Sequence, residues 1–261
     1  MLRSKAKMKT TGISFAIGLA AGLFGGLIGM GGGIVMIPLL VGWFALDQCR
    51  AQGTSLAVLV FTGVSGALTY GYAGQIDWNA ALILAVPAVL TAAAGARLAD
   101  RLPGWQLKKV FGAFLIFCAV LLLLKPVLAS PLGGLPDCAS FFILLVTGAV
   151  TGFLSGLIGV GGGAIMVPAL ILLAGFTQHA AQGTSLLVMI PTGLAGAFTH
   201  WRLGNVAGRL LVGMVPGILL GAFFGGITAQ FIPEAPLRCL FVLAAIYMGW
   251  RYARAAEPAS C

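Results

Sequence analysis

Residues 18–70 of this chain recur as residues 148–200, at a constant offset of 130 and without a gap, and 25 of the 53 pairs are identical. Gly31-Gly32-Gly33 returns as Gly161-Gly162-Gly163, and Pro38 returns as Pro168. Ala51-Gln52-Gly53-Thr54-Ser55-Leu56 returns letter for letter as Ala181-Gln182-Gly183-Thr184-Ser185-Leu186. The offset continues more weakly through Gly95/Gly225, Pro103/Pro233, Leu107/Leu237 and Phe111/Phe241. Duplication on this scale makes the chain two copies of one unit. The first copy occupies 1–124, a Pro- and Gly-containing linker 125–138, and the second copy with its C-terminal tail 139–261.

The unit is built for lipid. Asp, Glu, Lys and Arg make up 8% of the chain and apolar residues 60%, whereas a soluble domain carries about a quarter charged residues. So little charge cannot cover a soluble surface, which excludes ordinary soluble enzymes and disordered chains. The net charge of +9 comes in short runs between apolar segments, with no basic stripe interleaved with aromatics, so nucleic acid is not an expected partner. The five cysteines are scattered without metal or disulfide spacing. The first apolar run follows Arg3, Lys5, Lys7 and Lys9 but lacks a closing signal-cleavage pattern. It is therefore expected to stay as the first membrane segment.

Apolar segments fall at about 12–28, 34–45, 52–73, 79–97 and 107–124, and again at 139–158, 164–175, 182–201, 208–229 and 237–250. The third to fifth of each set can cross a bilayer, whereas the short second ones reach only about halfway. The glycines at 29–33 and 159–163 favour a break between the first and second segments. The expected fold is an all-α polytopic membrane protein with two inverted repeats. Each repeat is a glycine-broken helical hairpin plus three transmembrane helices.

Loop charges supply the inversion. With the N-terminus in the cytoplasm, Arg97, Arg101, Lys108 and Lys109 fall inside, as do Arg202, Arg209, Arg251 and Arg254. Equivalent loops then carry opposite bias, as the positive-inside rule requires of an upside-down copy. Both termini are expected to be cytoplasmic, in the cell inner membrane. A parallel duplication with eight ordinary spans stays open as the alternative.

Two repeated features point to an anion site. Successive glycine N–H groups at a helix start form a concavity for an anion, aided by the helix dipole. Two inverted copies would aim two such starts at one midplane site; the candidate residues are Gly31, Gly32 and Gly33 with Gly161, Gly162 and Gly163. The second feature is Gln52, Thr54 and Ser55 with Gln182, Thr184 and Ser185. Thr62 and Thr69 continue the Ser55 face at intervals of seven, as Thr192 and Thr199 continue that of Ser185. Hydroxyls and amides donate hydrogen bonds to an oxyanion without repelling it. Close packing for the glycines and local backbone bonds for the hydroxyls are the plain alternatives. Gly18, Gly22 and Gly26, like Gly213, Gly217, Gly221 and Gly225, read as packing glycines.

The six acids fall in or beside loops, so an intramembrane carboxylate relay is not expected. His179 and His200 read as structural, and Tyr70 joins the tryptophans of an interfacial belt. No catalytic residue, metal site or cofactor is expected.

The duplicated Gly-x-Gly-Gly-Gly turn followed by Pro, with Ala-Gln-Gly-Thr-Ser-Leu after it, resembles the TauE/SafE family of membrane permeases, also called toluenesulfonate uptake permeases. Its motifs fall here on Gly29, Gly31, Gly32, Gly33, Pro38, Gln52, Thr54 and Ser55 and on their partners 130 residues later. The resemblance covers nearly the whole chain. It implies a multi-pass bacterial or archaeal inner-membrane protein that moves sulfur-containing anions such as sulfite, sulfoacetate or other organosulfonates. The function expected is a permease for a small anionic substrate by alternating access, with a passive anion channel or a non-transporting scaffold as alternatives. Direction, coupling ion and a homodimer are left open.

Overall fold

The computed structural model describes residues 2–99 and 137–254, with eight more between 109 and 122. Nine helices are delimited among them: α1 (Leu2–Ile28), α2 (Gly33–Phe44), α3 (Gln48–Tyr72), α4 (Trp78–Ala99), α5 (Asp137–Ile158), α6 (Gly163–Leu173), α7 (Gln178–Arg202), α8 (Gly208–Phe231) and α9 (Glu234–Ala253). The fold is all-α, as the sequence led us to expect. Most of the expected fifth segment (107–124) and linker residues 125–136 lie outside the described residues. The linker's last two residues already belong to α5.

Among the described residues, six helices are long and apolar enough to cross a membrane, within α1, α3, α4, α5, α7 and α8. The closing helix α9, with Glu234, Arg238 and Arg251, is not among them. Helices α2 and α6 are short, with 12 and 11 residues.

Glycine sets how the helices pair. A Cβ on Gly22 would come within 2.5 Å of the Ile218 carbonyl oxygen, Gly18 meets Met214 and Gly26 meets Ala222. From the other side Gly217 meets Phe15 and Gly221 meets Leu19. Residue numbers rise together, so α1 and α8 run parallel with their backbones in contact, as small residues every fourth position allow. The equivalent seam joins α5 to α4, through Gly148 on Leu84, Gly152 on Ala88 and Gly156 on Ala92. Each copy thus lends its first helix to the other copy's fourth.

In the centre α3 and α7 run antiparallel: Gly63 packs on Leu186 and Ile190, while Gly193 and Gly196 pack on Val60 and Leu56. Both helices start on side-chain caps. The Asp47 carboxylate accepts the Arg50 N–H at 2.9 Å, and the Thr177 hydroxyl oxygen accepts that of Ala180 at 3.2 Å. The loops before α4 and α8 close over the partner copy. There the Asp77 N–H donates to Thr184 Oγ1 at 3.1 Å and the Ala207 N–H donates to Thr54 Oγ1 at 2.9 Å.

Candidate binding site between the two glycine turns

The chain leaves α1 at Ile28, reverses through Gly29–Gly32 and starts α2 beside its own α1. A Cβ on Gly32 would run into the Ala21 carbonyl oxygen. Three of the four turn residues are glycines with positive φ: Gly29 at 74°, Gly31 at 81° and Gly32 at 57°. The second turn repeats them at Gly159 (78°), Gly161 (92°) and Gly162 (75°). Side chains other than glycine pay strain in this left-handed region, which is the local reason for the motif. Gly32 and Gly162 are the N-caps of α2 and α6, with no side-chain cap.

Each turn rests on the other copy. A Cβ on Gly29 would touch Gln182, and one on Gly159 would touch Gln52. The turns also meet each other. The start of α2 at Gly33 lies against the Gly159 carbonyl oxygen, and the start of α6 at Gly163 lies against that of Gly29. Leu59 and Met189, an equivalent pair, fill the space around Gly31 and Gly161. All six candidate glycines are buried.

The polar candidates divide by task. Thr54 and Thr184 spend their hydroxyl oxygens on the cross-copy loops; Thr54 Oγ1 also donates to the Arg50 carbonyl at 2.6 Å. Ser185 Oγ lies 3.1 Å from the Gly29 carbonyl oxygen and 2.9 Å from that of Gln182, and Thr192 Oγ1 donates to the Val188 carbonyl at 2.8 Å. Their first-copy counterparts Ser55 and Thr62 are fully buried with no hydrogen-bond partner for either hydroxyl. Ser55 Oγ lies 2.9 Å from where a Cβ on Gly33 would stand, and the Thr62 methyl lies beside Gly25. Gln52 is 4% exposed and packs on the second turn. Gln182 is fully buried, and its Nε2 group lacks a partner.

Two residues escaped the sequence reading. Tyr70 is not part of an interfacial belt: it is fully buried, with its phenol oxygen 2.8 Å from Gln182 Oε1 and 3.2 Å from the Gly26 carbonyl oxygen. His200, at the equivalent position, places Nε2 3.1 Å from the Gly156 carbonyl oxygen. That shared offset was the available signal. Trp43, Trp78 and Trp201 are exposed, as a belt requires. The second residue is Ser155, buried and unpartnered beside Gly162, where the first copy has Gly25.

The described carboxylates near these elements, Asp47, Asp77 and Glu234, sit at helix starts, away from the turns. The site therefore combines left-handed glycine turns, two uncapped helix starts and buried neutral donors. Such a set can hold negative charge without a counter-cation.

The sequence profile described as "Sulfite exporter TauE/SafE" matches residues 14–254. The chain is 33% identical to "Probable membrane transporter protein YunE" of Bacillus subtilis, over 82% of this chain and 85% of the relative. It is 28% identical to YdhB of the same organism, over 85% and 91%. A Xylella fastidiosa protein, also named a probable membrane transporter, is 27% identical over 93% and 94%. No solved structure matches the chain. With the profile spanning nearly the whole sequence and both glycine turns in place, this chain belongs to the sulfite exporter TauE/SafE family of membrane transporters.

Proposed function

We propose that the protein carries small sulfur-containing oxyanions, such as sulfite or organosulfonates, by alternating access about the meeting point of its two glycine turns. One observation carries this reading: the hydroxyls of Ser55, Thr62 and Ser155 and the Nε2 group of Gln182 are buried without partners around the two turns. An unpaired buried donor costs about 1–3 kcal/mol. An oxyanion accepts several such bonds at once, and the starts of α2 and α6 add the positive ends of their dipoles.

The antiparallel crossing of α3 and α7 and the exchanged pairs α1/α8 and α4/α5 support an inverted pair of repeats, in which one can rock against the other. With α9 counted as a further span, both termini are then cytoplasmic in the inner membrane. An inside-negative potential favours anion export by about 2.3 kcal/mol per charge per 100 mV. Import would need a coupling ion.

The test is flux in proteoliposomes with sulfite, sulfate, sulfoacetate and taurine as competing solutes. We expect saturable uptake of at least one sulfur anion. If none competes while neutral or cationic solutes move, the anion reading fails. Ohmic currents far above carrier rates would replace the carrier with a channel.

A further inference from the structure

Helices α4 and α7 lie side by side and leave a groove that no residue of the glycine turns lines. Residues 78–85 of α4 face 187–191 of α7 across a cavity of about 240 Å³, and residues 89–97 face 195–203 across one of about 440 Å³. The numbers rise together, so the two helices are parallel and their C-termini border the same end of the groove. Along it, Leu82, Leu90 and Phe198 are 68%, 70% and 53% exposed, which suits acyl chains and not water.

At that end the larger cavity is lined by two arginines, Arg97 and Arg202, one from the last turn of each helix. The Arg202 guanidinium stacks over the Phe198 ring at 4.9 Å. Neither arginine has a carboxylate partner among the described residues; the salt bridge found there joins Arg238 to Glu234. In the equivalent groove of the other copy the same two positions are Ile227 and Tyr72. Of these two equivalent grooves, this one alone carries the pair of arginines at those positions.

A cation in the last turn of a helix is favourable against the dipole, and that accounts for one arginine on each helix. It does not account for two guanidinium groups bordering a single cavity at the end of an apolar groove. We infer that this groove is a specific site for an anionic phospholipid, whose phosphate sits between Arg97 and Arg202 and whose acyl chains lie along Leu90 and Phe198. Basic pockets between membrane helices bind lipid headgroups in this way. The chemistry is that of a phosphodiester with attached chains, since among the described residues the cavity beside the arginines offers a free ion's remaining faces no polar side chain beyond Thr199, whose hydroxyl donates to the Ala195 carbonyl.

The experiment follows binding of phosphatidylglycerol to the detergent-purified full chain by native mass spectrometry. Phosphatidylcholine and inorganic phosphate serve as parallel probes. Wild type should retain phosphatidylglycerol and not phosphatidylcholine, with inorganic phosphate failing to displace it. Arg97→Gln and Arg202→Gln should each weaken retention about fivefold, and the pair roughly 25-fold. Arg209→Gln, outside the groove, should leave it unchanged. Arg97→Lys with Arg202→Lys keeps the charge and should retain the lipid, which guards against a folding defect. Wild-type retention in the double Gln variant, or equal retention of phosphatidylcholine, would overturn the inference. So would displacement by millimolar phosphate, which would mark a site for free anions.

Discussion

Gly32 and Gly162 are equivalent in sequence, yet replacing each with alanine should have unequal consequences. Both have positive φ, 57° and 75°, and a side chain held there costs about 1–2 kcal/mol. For Gly162 little more is added, because the nearest atoms to a new methyl are Thr151 O at 3.3 Å and Ser155 Cβ at 3.5 Å. For Gly32 the methyl runs into the backbone of Ala21, and the α1–α2 hairpin must open by roughly 1 Å. Overpacking of that kind adds about 1–3 kcal/mol. Gly162→Ala should therefore lose about 1–2 kcal/mol, and Gly32→Ala about 2–5 kcal/mol. Thermal or denaturant unfolding in detergent micelles, followed by size exclusion, reads the difference directly. Transport by the folded fraction of Gly162→Ala then reports on the turn as a binding element. A Gly162→Ala protein as unstable as Gly32→Ala, or more so, would refute the reasoning, since backbone strain alone would then set the cost.

Four further outcomes follow from the hydrogen bonds, the seams and the open positions. Thr54→Val and Thr184→Val each strand a backbone N–H, of Ala207 and Asp77, and should each cost about 1–3 kcal/mol in unfolding experiments. Their effects should add in the double variant, since the two bonds share no partner. An altered KM with unchanged stability would instead make these threonines substrate ligands. Tyr70→Phe removes the phenol hydroxyl from Gln182 Oε1 and the Gly26 carbonyl, and should cost about 1–3 kcal/mol and weaken substrate affinity; thermal unfolding with flux against substrate concentration checks both. Gly152→Ala, facing the Ala88 backbone, should destabilise by about 1–3 kcal/mol. Gly42→Ala, in α2 with open space around it, should be neutral or stabilising by up to about 1 kcal/mol in the same unfolding assay.

The segments, the two breaks and the packing glycines were legible because each leaves a one-dimensional trace: an apolar run, a glycine cluster, a spacing of four. What the offset of 130 could not reveal is contact. It makes Gln52 and Gln182 equivalent but does not say that Gln182 supports the turn at Gly29 while Gln52 supports that at Gly159. Nor could it separate Thr54, held by the Ala207 N–H, from Ser55 next to it, whose hydroxyl is unpartnered. Tyr70 was misplaced because an aromatic near a helix end has the same sequence pattern whether it meets lipid or turns inward to a buried amide. Ser155 was passed over because a single mismatch with Gly25 looks like drift.

The exchanged seams set a timetable for synthesis. Gly18 on α1 packs against Met214 on α8, which leaves the ribosome about 200 residues later, a delay of roughly 10–40 s at 5–20 residues per second. Throughout that interval α1 sits in the bilayer with its glycine face turned to lipid, and the first turn lacks the Gln182 that it rests on. The N-terminal half reaches the membrane as an unfinished surface that only the C-terminal half can close. Truncations that remove α8 should therefore expose α1 to degradation, although the two lie at opposite ends of the gene.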